Sequence, residues 1–272
     1  MNTVRAYAKV NLALVVGPAR SDGRHEVVTL LQRIDLHDDV TLDASDELVI
    51  EGFPADTIVR SALESLAGAA HVEPRWRVRI EKRIPVAAGL GGGSSDAATA
   101  LALANRTLPQ PLEAEALHDL AAGLGADVPF FLHPGPALAT GIGIDLSALE
   151  LPQDFWVVVV LPEGEAKRST AEVYAAYDES GAEQGFGERR TALLEGLAEV
   201  RRPRDLAKLP LNDLASSPVS EELLSQGAFR ADVTGAGPAL YGLFMQRATA
   251  ERAAVALRPL GRTWVTVPAW YG

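Results

Sequence analysis

Apolar and polar residues alternate at the start of the chain with the two-residue period of a β-strand. Between residues 4 and 16, every second side chain is apolar. Because successive side chains of a strand point to opposite faces, this spacing predicts one buried face. Lys9 and Asn11 share the other face. The period alone favours a solvent-exposed polar face over a pair of donors directed into a cleft.

The periods of strands and helices continue along the rest of the chain. Alternating apolar residues predict strands, and apolar spacings of three and four residues predict amphipathic helices. The predicted strands cover residues 39–50 as a strand pair, 76–84, 155–161 and 264–267. The predicted helices cover residues 56–70, 97–108, 112–124, 170–177, 191–200 and 248–257. Since no regular βαβ repeat emerges, the pattern predicts an α+β fold.

A glycine-rich stretch, residues 85–95, joins the strand predicted at 76–84 to the helix predicted at 97–108, and we call it the first glycine segment. It carries four glycines within residues 89–93. Backbone N–H groups without neighbouring Cβ atoms can close around an anion, and a helix N-terminus adds positive potential. Consecutive glycines cost backbone entropy that a plain turn does not require. The stretch therefore favours a phosphate-binding loop over a flexible turn.

The spacing within this segment matches neither of two common phosphate-binding motifs. No Gly-Lys-Ser/Thr follows, as in a Walker A loop, and the spacing Gly-x-Gly-x-x-Gly is not met. The residues after the glycines, Ser94, Ser95 and Asp96, are predicted caps of the following helix.

Length and composition are those of an ordinary globular protein. The chain has 272 residues, of which 47% are hydrophobic and 22% charged. This length accommodates one large domain or two modest ones. A boundary near residues 147–153 predicts an N-terminal domain over 1–150 and a C-terminal domain over 151–272.

Charge and cysteine content narrow the classes of function. The absence of cysteine excludes disulfides, thiolate metal sites and cysteine nucleophiles. The formal net charge of -11 disfavours nucleic acids and anionic membranes as partners. No signal peptide is evident, and no stretch approaches the roughly 20 apolar residues of a membrane span. The charge does not exclude a phosphorylated small-molecule substrate, because backbone donors can override the net charge locally. We expect a cytoplasmic protein, and its oligomeric state stays open.

Two single residues have ordinary structural interpretations when each is taken alone. His25 follows the turn residues Asp22 and Gly23, where a lone histidine is usually a surface residue. Asp127 lies between a predicted helix end at Gly125 and an apolar run. A turn or capping aspartate is slightly favoured there over a carboxylate delivered into a site.

Three motifs, taken in order, resemble the GHMP kinases. The first is Ala8-Lys9-Val10-Asn11-Leu12, and the second is the first glycine segment, Pro-x-x-x-Gly-Leu-Gly-Gly-Gly-Ser-Ser. The third is Thr234-Gly235-Ala236-Gly237-Pro238, residues 234–238, which we call the second glycine segment. Two further matches, Asp22-Gly23-x-His25 and Gly125-Ala-Asp127-Val-Pro-Phe130, resemble the branch that phosphorylates a diphosphocytidyl methylerythritol.

The resemblance implies a fold and a reaction. The fold is an N-terminal domain of the ribosomal protein S5 domain 2 type followed by a ferredoxin-like C-terminal domain. The reaction is phosphoryl transfer from ATP, with Mg²⁺, to a hydroxyl of 4-diphosphocytidyl-2-C-methyl-D-erythritol on the non-mevalonate route to isoprenoid precursors. No residue is assigned as a metal ligand.

The resemblance also implies roles for individual residues. Lys9 and Asp127 match catalytic positions, with Asp127 as acceptor of the hydroxyl proton and Lys9 keeping it ionised. Asn11 and His25 match positions that contact the substrate. The ATP phosphates would be bound by the first glycine segment: Pro85, Val86, Ala87, Ala88, Gly89, Leu90, Gly91, Gly92, Gly93, Ser94 and Ser95.

One position departs from this branch of the family. Arg24 stands where the branch commonly has a tyrosine that stacks on the base. A guanidinium is planar and can stack on a base while donating hydrogen bonds, so we expect Arg24 to serve the cytidine. Tyr174 is the expected aromatic on the opposite face of the ring.

Two other functions remain open on the sequence. One is another small-molecule GHMP kinase of the homoserine or mevalonate type, which residues 22–25 argue against. The other is a non-catalytic nucleotide-binding sensor on the same fold. The presence of both Lys9 and Asp127 argues against a sensor.

Overall fold

The protein is described by a computed structural model covering residues 2–53, 57–164 and 169–269. Contacts divide the chain into two compact units, each built from several chain segments. The first unit comprises Met1–Ala8, Leu36–Val86 and Gly91–Pro134. The second comprises Lys9–Asp35, Ala87–Leu90 and Gly135–Gly272. The boundary near residue 150 stays a prediction.

Two long strands contribute to both units. They are β1 (Asn2–Ala19) and β2 (His25–Ala44), and they pair with each other. The other elements of the first unit are β3 (Val49–Glu51), α1 (Thr57–Ala70), β4 (Trp76–Glu81), α2 (Gly92–Asn105), α3 (Ala114–Leu124) and α4 (Val128–Leu132).

In the first unit, β4 lies between β2 and β3. It pairs antiparallel with the last part of β2, where Asp39 faces Glu81, and parallel with β3. The strand pair predicted over residues 39–50 is therefore wrong as a pairing. Both strands exist, but each bonds to β4.

The core of the first unit lies between β4 and the first two helices. Trp76, Val78 and Ile80 are buried on one face of β4, as the alternation predicts. They share a cluster with apolar residues of α1 and with a run of alanines on α2. Small side chains on α2 leave little bulk on its packed face, so the two helices pack closely.

The second unit contains an antiparallel sheet. Its strands run in the order β10 (Gly261–Thr266), β7 (Trp156–Pro162), β9 (Leu240–Phe244) and β8 (Arg230–Val233). Residues 157–160 of β7 are four buried valines, which fits a strand covered on both faces. The remaining elements are β5 (Ala137–Thr140), β6 (Asp145–Ala148), α5 (Thr170–Ser180), α6 (Phe186–Ala198), α7 (Val219–Ser225) and α8 (Arg247–Ala256).

The mixture of paired strands and helices confirms the predicted α+β class. Most helix predictions agree with the structure within a few residues. The largest shifts are at the starts of α2, which begins at Gly92 rather than residue 97, and of α6, which begins at Phe186 rather than residue 191. Within the described ranges, no helix is long and apolar enough to cross a membrane.

Candidate functional site

Lys9 and Asn11, on β1, are buried, and the predicted exposed face is wrong at these positions. Only 3% of Lys9 and 4% of Asn11 is exposed. Lys9 Nζ donates to Asn11 Oδ1 over 2.7 Å, a charge-assisted hydrogen bond. The two-residue alternation of a strand is confirmed here, but both faces of this part of β1 are covered.

A chain of hydrogen bonds fixes the orientation of the Asn11 amide. The hydroxyl of Thr29 on β2 donates to the carbonyl of Ala13, over 2.8 Å. Its oxygen is then the acceptor for Asn11 Nδ2, at 2.9 Å. Because Nδ2 points to Thr29, Oδ1 must face Lys9, which can only donate.

The second glycine segment meets this pair from a distant part of the chain. Thr234 Oγ1 accepts from the backbone N–H of Asn11 over 3.1 Å and donates to Asn11 Oδ1 over 3.2 Å. A Cβ placed on Gly235 would lie 3.5 Å from Lys9 Nζ. The ammonium of Lys9 therefore lies against this segment.

The two glycine segments also contact each other within the second unit. The backbone N–H of Ala239 donates to the carbonyl of Ala88 over 3.0 Å. Gly89 has φ +83°, and a Cβ there would lie 2.3 Å from the carbonyl oxygen of Thr234. Both the left-handed backbone and the close approach require glycine at this position.

The first glycine segment contains the start of α2. Gly91 is the N-cap residue with φ +71°, and Gly92 and Gly93 already belong to the helix. The order of strand, glycine segment and helix is confirmed. The prediction that Ser94, Ser95 and Asp96 cap the helix is wrong, because they lie inside its first turns.

The glycines of this segment leave the helix N-terminus without side-chain bulk. α2 has no side-chain capping bond at its N-cap. The first N–H groups of any α-helix have no intrahelical acceptor. Together with the positive end of the helix dipole, they form a surface suited to an anion.

Asp96 takes part in a buried ion cluster of the first unit rather than in a cap. Lys82 Nζ lies 2.6 Å from Asp38 Oδ2 and 2.7 Å from Asp96 Oδ2, and both carboxylates are fully buried. Asp38 also accepts from the backbone N–H of Ile84 over 2.8 Å. The cluster ties the end of β4 to β2 and α2.

The charges in this cluster determine the protonation of the lysine. Burial on its own lowers the pKa of Lys82, but the two carboxylates outweigh it and raise the pKa above its ordinary value. Lys82 therefore remains a cation, and its ion pairs hold the two strands and the helix around the first glycine segment.

Asp127 occupies the N-cap position of α4, yet its side chain makes no capping hydrogen bond in the described structure. Pro129 follows in the first turn of that helix. Asp127 is partly exposed and belongs to the first unit. The favoured interpretation is therefore confirmed as to the turn, in which Asp127 lies, but its side chain does not cap the helix.

His25 is buried among aromatic residues and is not the surface residue expected of a lone histidine. Its ring centroid lies 4.7 Å from that of Tyr174, with 33° between the planes. The ring centroids of His25 and Tyr177 lie 6.3 Å apart, in an edge-on contact. His25 Nε2 lies 2.6 Å from Asp178 Oδ1. The structure thus brings together His25 and Tyr174, two residues predicted to serve the substrate.

Comparisons with known proteins identify the family of this chain. The profile described as GHMP kinases N terminal domain matches residues 57–135. A relative from Geobacter sulfurreducens named 4-diphosphocytidyl-2-C-methyl-D-erythritol kinase is 37% identical, over 96% of this chain and 96% of its own length. The chain belongs to this kinase family.

Solved structures extend the family's likeness to the whole fold. A crystal structure of 4-(cytidine 5'-diphospho)-2C-methyl-D-erythritol kinase matches with a TM-score of 0.80 at 33% identity, covering 98% of this chain and 100% of that one. A mevalonate kinase gives the same TM-score at 14% identity and full coverage of both chains, which shows the fold alone. The predicted GHMP kinase architecture is confirmed, and the chain is a small-molecule kinase.

Arg24, in contrast to the other predicted substrate residues of this kinase, has few contacts. It is exposed, and its backbone N–H donates to Asp22 Oδ1 over 3.0 Å. Within the described chain, its side chain makes no hydrogen bond or ion pair. The stacking role of Arg24 stays a prediction.

Sequence reasoning missed Asn212, which holds the second glycine segment of this kinase. Asn212 Nδ2 donates to the carbonyls of Val233, over 3.0 Å, and Gly235, over 2.7 Å. Its backbone N–H donates to Asp232 Oδ2 over 2.8 Å. Arg230 lies 3.6 Å from the same oxygen. No local pattern around residue 212 indicates this role, because the carbonyls that Asn212 holds lie 21 and 23 residues further along the chain.

Proposed function

We propose that this protein transfers the γ-phosphoryl group of ATP to a hydroxyl of 4-diphosphocytidyl-2-C-methyl-D-erythritol. The reaction belongs to the non-mevalonate route to isoprenoid precursors. Near full-length similarity to a kinase named for this substrate carries the proposal. The buried Lys9–Asn11 pair against the second glycine segment supports it, because a site for a polyanion needs positioned donors.

The phosphates of ATP bind at the first glycine segment, residues 85–95. The uncapped start of α2 and the absence of side chains at its glycines favour an anion there. Phosphoryl transfer depends mostly on positioning and on neutralising charge at the γ-phosphoryl oxygens. Lys9, whose ammonium lies against the second glycine segment, supplies a positive charge for this neutralisation.

Mg²⁺ accompanies the nucleotide. Among the residues that the structure describes, no group of three His, Asp or Glu side chains could hold a metal ion. This fits Mg²⁺, which keeps several waters and is commonly held by substrate phosphates with one or two protein ligands. When bound, the ion neutralises phosphate charge. The hydroxyl of Ser95, in the first turns of α2, is the candidate protein ligand.

Asp127 accepts the proton of the substrate hydroxyl. Its carboxylate is partly exposed, so a substrate can reach it. Asn11 and His25 contact the substrate, and Tyr174 stacks on the cytosine beside His25. The hydrogen bonds that fix the Asn11 amide present it in one orientation.

An ADP-release assay against a panel of alcohols tests the proposed function. The panel contains 4-diphosphocytidyl-2-C-methyl-D-erythritol, homoserine and mevalonate, each with Mg²⁺ and ATP. Of the three alcohols, we expect only the cytidylylated substrate to be turned over. Turnover of homoserine or mevalonate in its place would assign a different GHMP kinase activity. ATP binding without turnover of any alcohol would indicate a nucleotide sensor.

A further inference from the structure

The carboxylate of Asp178, next to His25, determines whether the free ring nitrogen of this histidine can donate or accept a hydrogen bond. His25 Nε2 lies 2.6 Å from Asp178 Oδ1, near the C-terminal end of α5. The histidine side chain is 7% exposed and that of Asp178 is 43% exposed. We propose that Asp178 is a positioning residue that fixes the tautomer of His25 and thereby selects cytosine over uracil. The proposal rests on the proposed function.

The tautomer follows from the chemistry of the two groups. An ionised carboxylate can only accept hydrogen bonds, so the proton of a neutral imidazole facing it must lie on Nε2. Nδ1 of His25 then presents a lone pair. In the described chain, no protein group hydrogen-bonds to Nδ1, so the lone pair is available to a ligand.

The ring is also prevented from turning. Tyr174 covers one face of the imidazole, and Tyr177 meets its edge at 85°. Tyr177 is itself held by a hydrogen bond from its hydroxyl to the carbonyl of Val16. A ring held on two sides and bonded at Nε2 keeps Nδ1 in one direction, so its acceptor is preorganised for a ligand.

An acceptor at Nδ1 distinguishes the two pyrimidines at position 4 of the base. Cytosine carries an exocyclic amine there, a donor, whereas uracil carries a carbonyl, an acceptor. The amine of cytosine satisfies the lone pair of Nδ1, while a uracil carbonyl faces it acceptor to acceptor. Since His25 is buried, an unsatisfied acceptor is costly, and polar sites of this kind reject the mismatched analogue strongly.

The next residue of the helix provides a matched control. Glu179 carries the same charge as Asp178 and is exposed. It makes no hydrogen bond or ion pair within the residues described. Removing Glu179 therefore reproduces the change in charge without touching His25.

Three variants separate this role from a structural one: Asp178→Ala, Asp178→Glu and Glu179→Ala. The first readout is the ratio of kcat/KM for the diphosphocytidyl substrate to that for its diphosphouridyl counterpart, at saturating ATP. The second is the nitrogen NMR spectrum of the His25 imidazole without ligand, at about pH 8, where an ordinary imidazole is neutral.

We expect Asp178→Ala to lower the cytidine-to-uridine ratio about tenfold or more, and to populate the second tautomer of His25. Asp178→Glu should restore much of the ratio, and Glu179→Ala should leave both readouts at wild-type values. Each of these results follows from the hydrogen bond to Nε2 rather than from charge on the helix.

Different failures are distinguishable. An equal loss of kcat/KM for both substrates in Asp178→Ala, or an unchanged His25 tautomer, would show that Asp178 is merely structural and overturn the inference. A wild-type protein that turns over neither pyrimidine form would instead overturn the proposed function. The NMR readout needs no substrate, so it tests the tautomer in either case.

Discussion

The first and second glycine segments are held in place by different kinds of contact. In the first, Gly91 begins α2 with a left-handed backbone, and Gly92 packs beside Ile84, only eight residues earlier. In the second, residues 234–238, the backbone is held by Asn212 and by the contact of Thr234 with Asn11. The part of the first segment that begins α2 depends mainly on neighbours in sequence. The second segment depends on side chains from elsewhere in the chain.

Because of this difference, substitutions should disrupt the two segments in different ways. A change inside the first segment alters the surface offered to an anion directly. The second segment can be displaced by a substitution at a residue that contacts no ligand, because its geometry is set by remote hydrogen bonds. The following predictions test this contrast, beginning with substitutions that should leave both segments in place.

The largest effect is expected from the proposed catalytic pair, Lys9 and Asp127. Lys9→Ala and Asp127→Asn should each lower kcat about 10²- to 10⁴-fold with little change in ATP affinity, the range typical of lost acid–base catalysis. Steady-state kinetics and nucleotide titration measure the two quantities. Asp119→Asn, an exposed acid on α3, is the control.

The double variant sharpens this prediction. Residues that act as one unit are strongly non-additive, so Lys9→Ala/Asp127→Asn should be scarcely slower than either single variant. Losses that multiply, or near-normal turnover in either single variant, would count against a shared catalytic role.

The next effect concerns the first glycine segment. A valine at Gly92 would place side-chain atoms at the start of α2, with its Cβ 3.0 Å from Ile84. Gly92→Val should abolish ATP binding by obstructing the N–H groups, while circular dichroism shows a folded protein. Gly68→Val is the control, because a Cβ at Gly68 on α1 meets nothing within 4 Å. Wild-type ATP affinity in folded Gly92→Val would refute the phosphate site.

The second segment should respond to a residue outside it. Asn212→Ala removes two hydrogen bonds to the carbonyls of Val233 and Gly235, which should cost about 1–3 kcal/mol of stability. Displacement of Gly235 should also raise KM values. Denaturant unfolding and kinetics measure both effects, and exposed Leu211→Ala is the neighbouring control. Normal KM values in Asn212→Ala would show that the segment keeps its shape without this residue.

A pH-dependent effect arises from Asp232, which accepts the backbone N–H of Asn212. Burial raises the pKa of Asp232 to about 6, against the opposing influence of Arg230 and two backbone N–H groups. The folded protein thus holds this proton more tightly than the unfolded chain. Protonated Asp232 therefore stabilises the folded protein fully below about pH 4, and this stabilisation is lost as the pH rises through about 6.

Unfolding free energies at several pH values test this effect. Between about pH 4 and 7, the unfolding free energy of the wild type should fall by roughly 1–3 kcal/mol relative to that of Asp232→Asn, whose side chain does not titrate. Parallel pH profiles for the two proteins would contradict the prediction.

The smallest effect is expected at Arg24, which is exposed. Loss of a remote contact with the base lowers binding of the ground state and the transition state alike, so it appears in KM more than in kcat. Arg24→Ala should raise KM for the diphosphocytidyl substrate severalfold, and Arg24→Tyr should largely preserve it. An unchanged KM in Arg24→Ala would exclude the stacking role.

The sequence predicted features that depend on neighbouring residues. The alternation of β1, the apolar spacing of α1 and the order of strand, glycine segment and helix all reflect periods or backbone preferences within short windows. The proposed catalytic and substrate-binding residues were identified from motifs of the family instead. Residue type and spacing alone had favoured ordinary roles for His25 and Asp127.

Features that depend on distant contacts were not predictable in this way. The alternation of β1 could not show that Thr29 and Thr234 cover its polar face and bury Lys9 and Asn11. The local sequence predicted Asp96 as a helix cap because its partner, Lys82, lies 14 residues earlier, just after β4. A single chain's local pattern does not reveal which side chains meet after folding.

The proposed reaction of this protein is the phosphorylation of a cytidylylated alcohol. The most direct measurement is mass spectrometry of the acceptor after incubation of the wild-type enzyme with Mg²⁺, ATP and 4-diphosphocytidyl-2-C-methyl-D-erythritol. We predict one added phosphoryl group per acceptor molecule, in step with ADP formation, and almost none with Asp127→Asn. An acceptor of unchanged mass in the presence of wild-type enzyme would contradict the account.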